Sequence, residues 1–583
     1  MTIFNVFTLL GGLAFFLYGM NVLSSGLEKL AGGKLESMLR KVTSNPFKSL
    51  LLGAGITIAI QSSSAMTVML VGLVNSGIMQ LGQTVGVIMG SNIGTTLTAW
   101  ILSMAGIEGD NFFVQLLKPS SFSPILALIG IIMIMVAKSD KKRSIGSLMV
   151  GFAVLMYGMD LMQGAMEPLQ EMEEFQKILT AFNNPLLGVI VGAAFTGIIQ
   201  SSAASMAILQ SLAMSGGITF GMAIPIIMGQ NIGTCVTALL ASIGVNRNAK
   251  RVAVVHISFN LIGTIVWLVL FYGLDAFLHF AILDQTIDAV GIAAVHSIFN
   301  VLTTFMLLPF SKMLEKIANM VVKDTEKKEE YAFIDERLLA TPSVAIAECS
   351  SKTKEMARVA QNALMDAIQL LEAYDPAVRA RILKDEDELD LYEDKLGTHL
   401  VKLPSREISL TDSKTASKLL HTIGDFERIG DHAVNLIKTA EEMHEKKIHF
   451  SDEAMSELHI LTDAVTEILD LTTESFVKND LVMAARVEPL EQVIDRLIST
   501  IKNKHILRLQ AGNCTIEMGF ILNDLLTNYE RVSDHCSNIA VAVIETEQNA
   551  YEAHEYLNDI KHSGNPVYEA DYQHYQGKYA IEP

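Results

Sequence analysis

Two long stretches without a charged or titratable side chain constrain this sequence more than anything else in it. Residues 49–107 (59 residues) and 178–246 (69 residues) contain no Asp, Glu, Lys, Arg or His. A membrane-spanning helix needs about 20 apolar residues, so each run holds two or three segments. Further apolar stretches lie at 3–27, 122–137, 144–163, 252–274 and 289–310. The first has no basic residue before it and belongs to the repeat described below, so it reads as a helix and not as a signal peptide.

Charge divides the chain in two. Residues 1–320 carry 16 Lys/Arg and 14 Asp/Glu, and residues 321–583 carry 28 and 49, giving +2 and −21 within the total of −19. The first part suits a lipid bilayer and the second is a soluble acidic chain. The mean hydropathy of +0.35 excludes a disordered chain and argues against an ordinary soluble enzyme. An acidic balance of this size argues against nucleic-acid binding, which needs many cationic contacts. Cys235, Cys349, Cys514 and Cys536 have no metal-site spacing and exclude a disulfide scaffold.

The apolar part repeats with an offset of 139 residues. Tyr18-Gly19-Met20 returns as Tyr157-Gly158-Met159, and Asn45-Pro46 as Asn184-Pro185. Gln61-Ser62-Ser63 returns as Gln200-Ser201-Ser202, and Asn92-Ile93-Gly94-Thr95 as Asn231-Ile232-Gly233-Thr234. Carriers are often built from two such repeats with the substrate between them. The basic loops 28–48, 138–143 and 246–251 are cytoplasmic by the positive-inside rule. The counterpart of 28–48, residues 160–184, is acidic, so the two repeats are expected to have inverted topology, with the N-terminus outside. Each uncharged run must then make an odd number of net crossings. A re-entrant hairpin plus one crossing does this, starting at Asn45-Pro46 or Asn184-Pro185 and breaking at Gln-Ser-Ser.

That arrangement points to an anion. Hydroxyls and amides in mid-membrane are costly unless they meet a partner. Two broken helices would direct two N-termini, with their N–H groups and positive dipole ends, at the midplane. Gln61, Ser62, Ser63, Ser64, Gln200, Ser201 and Ser202 are therefore candidate binding residues. Asn92, Thr95, Asn231 and Thr234 are candidates for the same site, with a helix kink and packing contact as the alternative. Released carbonyls and hydroxyls suit Na⁺, and the lack of a titratable group in either run speaks against proton coupling. A shorter echo, Val255-His256 with Phe259-Asn260 and Val295-His296 with Phe299-Asn300, reads as interhelical hydrogen bonding near helix ends. Cys235 and Trp100 read as packing residues, the latter alternatively interfacial.

The duplicated Gln-Ser-Ser, Asn-Ile-Gly-Thr and His–Phe–Asn segments resemble the type II sodium–phosphate cotransporters over residues 1–320. The resemblance implies Na⁺-coupled uptake of inorganic phosphate, with both Gln-Ser-Ser blocks lining the site. Ala203 stands where the first block has Ser64, so the halves are chemically unequal.

Residues 321–345 read as a linker and 346–560 as an all-α domain of about six helices, around 346–374, 376–402, 411–445, 451–477, 480–510 and 513–547. Leu389, Tyr392 and Leu396 show its 3.6-residue period. Residues 561–583 read as a loose polar tail. The domain is itself duplicated. Glu386 with Asp390 and Glu427 with Asp431 recur as Glu491 with Asp495 and Glu530 with Asp534. One such i, i+4 pair is usually a solvated helix face, but four in a duplicated bundle can hold a metal. The pattern resembles the PhoU family, a pair of three-helix bundles that regulates phosphate uptake. That resemblance implies divalent or iron ions on these four pairs.

The expected protein is thus all-α. It has a polytopic membrane domain at 1–320 (repeat 1 about 1–107, repeat 2 about 144–246, helices 252–274 and 289–310) and a cytoplasmic PhoU-like domain. It would sit in the inner membrane of a bacterium, in the lipid bilayer, exchanging Na⁺ and inorganic phosphate; a homodimer is compatible with this. Carriage of another oxyanion such as sulfate or arsenate, or a membrane-anchored regulator without transport, are the competing readings. No nucleophile–base constellation supports an enzyme.

Overall fold

The computed structural model describes residues 3–31, 45–106, 118–169, 172, 184–323, 333–403, 408–548 and 566–581. Most of the loops 28–48 and 160–184, and of 324–332 in the linker, lie outside these residues. The chain forms two compact units, 1–345 with 404–410, and 346–403 with 411–583.

The first unit contains α1 (Ile3–Ala31), α2 (Pro46–Ile60), α3 (Ser63–Asn75), α4 (Leu81–Ser103), α5 (Pro119–Val136), α6 (Asp140–Met166) and α7 (Pro185–Ile199). It continues with α8 (Ser202–Met214), α9 (Phe220–Gly233), α10 (Cys235–Ala241), α11 (Arg247–Leu278), α12 (Ala289–Leu307) and α13 (Ser311–Val321). Among the described residues six stretches are long and apolar enough to cross a membrane: Ile3–Leu27, Leu81–Gly106, Asp140–Met166, Phe220–Ala241, Arg247–Leu278 and Ala289–Val321. At 1.5 Å per residue, α2 and α7 are about 22 Å long and α3 and α8 about 20 Å, short of a core about 30 Å thick. Each short pair is therefore the expected hairpin.

Local chemistry sets each hairpin. Asn45 caps α2 by accepting from Phe47 N and Lys48 N, with Pro46 at the first helical position. Asn184 does the same for α7, accepting from Leu186 N and Leu187 N ahead of Pro185. An asparagine cap followed by proline satisfies the orphan donors and presets φ. Both helices end on a glutamine in the left-handed region, Gln61 at φ 56° and Gln200 at φ 57°. That conformation costs a non-glycine residue roughly 1–2 kcal/mol, so the surroundings must hold it. Gln61 accepts from Thr98 Oγ1 at 3.0 Å and donates to Ile58 O at 2.7 Å. Ser24 of α1 donates to Ile60 O, a carbonyl left free by the break. The next residue then caps the second arm: Ser62 Oγ accepts from Ala65 N, and Ser201 Oγ from Ala204 N.

The repeats pack through glycine. A Cβ on Gly90 of α4 would stand 1.9 Å from Leu50 O of α2, and one on Gly229 of α9 would stand 2.1 Å from Val189 O of α7. The equivalent helices α1 and α6 pack together through Gly12 against Gly158 and Gly19 against Gly151. Phe16, Met156, Met159, Ala204 and Ala207 bury the seam between them and α8. At the far end of α3, Asn75 Nδ2 donates to the buried Asp335 at 2.6 Å, while Asn246 N donates to Asn75 Oδ1 at 2.8 Å.

The second unit is built from α14 (Pro342–Glu372), α15 (Pro376–Val401), α16 (Leu410–Lys446), α17 (Asp452–Lys478), α18 (Leu481–Ala485), α19 (Val487–Gln510), α20 (Ile516–Gln548) and α21 (Pro566–Lys578). Leu389, Tyr392 and Leu396 are buried, as the period requires. The expected loose tail is corrected. Residues 566–578 are helical, Tyr575 is fully buried, Arg486 lies over its ring, and Lys578 pairs with Glu467 at 2.7 Å. Tyr568, Tyr572, Tyr575 and Tyr579 fall on one face of a helix, and that stripe outweighs the polar average of the segment.

Candidate functional site

The N-termini of α3 and α8 meet at one small cavity. Ser63, Asn92, Thr95, Ser202, Met206, Gln230, Asn231, Thr234 and His296 line it. Six of the eleven expected membrane-site residues are there: Ser63 and Ser202 from the hairpins, and Asn92, Thr95, Asn231 and Thr234 from the crossing helices. Three equivalent positions are thus represented by both repeats: Ser63 with Ser202, Asn92 with Asn231, and Thr95 with Thr234.

The other five are not among the residues lining it. Ser62 and Ser201 cap α3 and α8, so their hydroxyls hold the break in shape. Gln61 is buried and bonded to Thr98, while Gln200 is exposed. Ser64 lies one residue past the lining position. Three lining residues were missed. Met206 and Gln230 stand where the first repeat has Thr67 and Ser91, so they break the repeat and gave no paired signal. His296 was read as interhelical bonding; its ring instead reaches the cavity.

The lining contains no Lys, Arg, Asp or Glu. Donors reach it as serine hydroxyls and as N–H groups at two helix starts, where the dipole is positive. Acceptors are more numerous. Asn92 and Asn231 each donate Nδ2 to the carbonyl four residues back, of Ile88 and Ile227, at 2.9 Å. Thr95 and Thr234 donate to Ser91 O and Asn231 O. Their own oxygens remain as acceptors. Such a surface can hold an oxyanion at one end and a hard cation beside it. The cavity has a volume of about 10 Å³, room for a single water-sized sphere.

In the second unit the duplicated carboxylates lie on helix faces. On one half, burial and then the neighbouring charges of Asp390, Asp387 and Asp431 hold the Glu386 carboxyl above its ordinary range. Burial and Asp431 do the same to Glu427. On the other half, Glu491 and Asp534 share a groove with Glu488, Arg531 and His535. The expected metal sites find no support: among the described residues no group of three or more His, Cys, Asp or Glu is placed to hold a metal ion. Arg428 lies 3.3 Å from Asp431 and 3.6 Å from Glu427, Arg531 lies 3.2 Å from Asp534, and Lys502 lies 3.3 Å from Glu530. The cations interleaved with the motifs neutralise acids that a metal would need.

The two halves join through a reciprocal pair. His432 Nδ1 donates to Asn528 Oδ1 at 2.8 Å, and Asn528 turns its Nδ2 to Asp524 O, which fixes that orientation. The equivalent His535 Nδ1 donates to Asp425 at 2.8 Å. Burial holds His432 below its usual 6.5, against the raising effect of Asn528. A histidine held low is neutral when folded, so its contribution is present above the unfolded value and is lost as pH falls through it. The protection factors for hydrogen exchange over residues 425–437 of the full chain, corrected for the intrinsic pH dependence of amide exchange, are therefore expected to fall between pH 7 and 5.5. His432→Gln should flatten that dependence, and an unchanged profile in the variant would remove His432 as its source.

Hairpins broken at mid-length, a site shared by two repeats and a membrane of helices around them define a polytopic carrier. The Na⁺/Pi-cotransporter family matches residues 15–164 and 154–291, and the PhoU domain matches 353–440 and 458–543. The chain belongs to the sodium–phosphate cotransporter family and carries a C-terminal PhoU region. It is 22% identical over 556 residues to YjbB of Salmonella typhimurium, named a candidate inorganic phosphate export protein, covering 94% of this chain and 99% of that one. It is 26% identical over 381 residues to sodium-dependent phosphate transport protein 2A of Rattus norvegicus, covering 44% and 60%. PhoU from Pseudomonas aeruginosa matches with a TM-score of 0.30 and 20% identity, over 36% of this chain and 98% of that one.

Proposed function

We propose that this chain is a secondary carrier that couples Na⁺ entry to uptake of inorganic phosphate, with the second unit regulating it from the cytoplasm. The observation that carries this reading is the cavity at the two hairpin breaks, where equivalent residues of both repeats line one space. Ser63, Ser202 and the starts of α3 and α8 would bind the anion. Oxygens of Asn92, Thr95, Asn231 and Thr234 would hold Na⁺. The basic loops support an orientation with the N-terminus outside and the second unit in the cytoplasm, and this reading takes the bilayer to be a bacterial inner membrane. A second reading, phosphate export, is favoured by the name of the full-length relative. The same coupled site serves either direction, and the imposed gradients decide between them.

A hydrogen bond to a charged group contributes about 1.5–3 kcal/mol, so Ser63→Ala or Ser202→Ala should weaken apparent phosphate affinity roughly 10- to 150-fold. Phosphate dependence of flux into proteoliposomes measures this. Unchanged affinity in both variants would take the serines out of the site.

A further inference from the structure

Two residues lining the cavity each carry a buried polar atom that nothing in the protein satisfies. Gln230 is buried and donates Nε2 to Ser205 O at 3.2 Å. That carbonyl can only accept, so the amide cannot be turned over, and Oε1 is left as an acceptor without a partner. His296 is also buried, and its Nδ1 has no partner. With the ring proton on Nε2, Nδ1 is an accepting nitrogen without a partner. Both residues line the cavity, beside the accepting oxygens of Asn92, Asn231, Thr95 and Thr234.

An oxyanion without a proton brings only lone pairs to these atoms. One that keeps an acidic proton brings an O–H donor. Resting on the reading of this cavity as the phosphate site, we infer that Gln230 and His296 select a protonated tetrahedral oxyanion, hydrogen phosphate or dihydrogen phosphate, against fully ionised ones such as sulfate. Phosphate presents the O–H near neutral pH and sulfate does not. A site built to bond a substrate hydroxyl rejects an analogue lacking it far more strongly than a site that only measures size, because its own polar groups are left unpaired.

Arsenate and selenate test this, because they are tetrahedral and similar in size but only arsenate keeps a proton near neutral pH. Labelled phosphate flux by the full chain in proteoliposomes, at fixed Na⁺ and pH, is measured against each competitor. Arsenate should compete near the phosphate KM, and selenate and sulfate at least about 100-fold more weakly. Gln230→Met and the conservative His296→Asn should raise the phosphate KM and narrow that ratio, leaving half-saturation by Na⁺ unchanged. Selenate competing as well as arsenate in the unaltered protein overturns the inference, whether or not the variants fold. So does a variant that shifts Na⁺ half-saturation alone, since the acceptors would then serve the cation. No phosphate flux at all would instead overturn the transport reading, and the inference with it.

Discussion

Gly90→Ala or Gly229→Ala is expected to abolish phosphate flux and to lower the yield of folded protein. A Cβ at these positions would sit 1.9 Å from Leu50 O and 2.1 Å from Val189 O. Neither obstacle is the end of a flexible side chain; each is the backbone of a packed helix. α4 must move away from α2, or α9 from α7. Overpacking of a filled core typically costs 1–3 kcal/mol, and a backbone overlap belongs at or above the upper end, about 3 kcal/mol. Displacing α4 or α9 also carries Asn92 and Thr95, or Gln230, Asn231 and Thr234, away from the cavity. Gly55→Ala is the control: it lies on the same α2, has open space at its Cβ, and should retain flux. Normal flux in both Gly90→Ala and Gly229→Ala would show that the helices are not held at backbone contact.

Arg508→Ala is expected to destabilise the second unit by about 3–5 kcal/mol, because it strands a buried carboxylate. Arg508 Nη1 and Nη2 donate to the two oxygens of Glu457 at 2.9 and 2.8 Å, joining α19 to α17. The side chains are only 11% and 4% exposed. Lys504 lies 3.7 Å from Glu457 and cannot replace a two-point contact. For a unit of about 200 residues the loss corresponds to a fall in Tm of roughly 6–20 °C. The double variant Arg508→Met with Glu457→Leu should recover most of it, since removing both charges also removes the desolvation cost. A double variant as unstable as the single one would place the loss in packing of the arginine stem.

The hairpins could be read from the sequence because each step needs a particular residue. Asn-Pro starts a helix, and a polar run with no charge can break one at mid-membrane. Repetition at a constant offset of 139 then marked which polar residues belong together. The same logic hid the residues that differ between repeats. Gln230 replaces a serine and Met206 a threonine, so neither had an echo. His296 had an echo in His256, but only the packing of α12 against α4 brings one of them to the cavity. Ser62 and Ser201 show the opposite failure. Their repetition was real, yet their hydroxyls are used by the backbone as caps. In the second unit helix bounds followed from apolar period and Asp-Pro or Gly breaks. The metal expectation counted carboxylates without the Arg one residue after Glu427 and Glu530, which reaches forward to Asp431 and Asp534.

The most direct test of the account is labelled phosphate flux into proteoliposomes of the full chain, with and without an inward Na⁺ gradient. Concentrative uptake that appears only with the gradient, and is lost in the double variant Ser63→Ala with Ser202→Ala, is the predicted result. Phosphate movement that ignores Na⁺, or its absence in protein shown to be folded and inserted, would contradict coupled transport through this cavity.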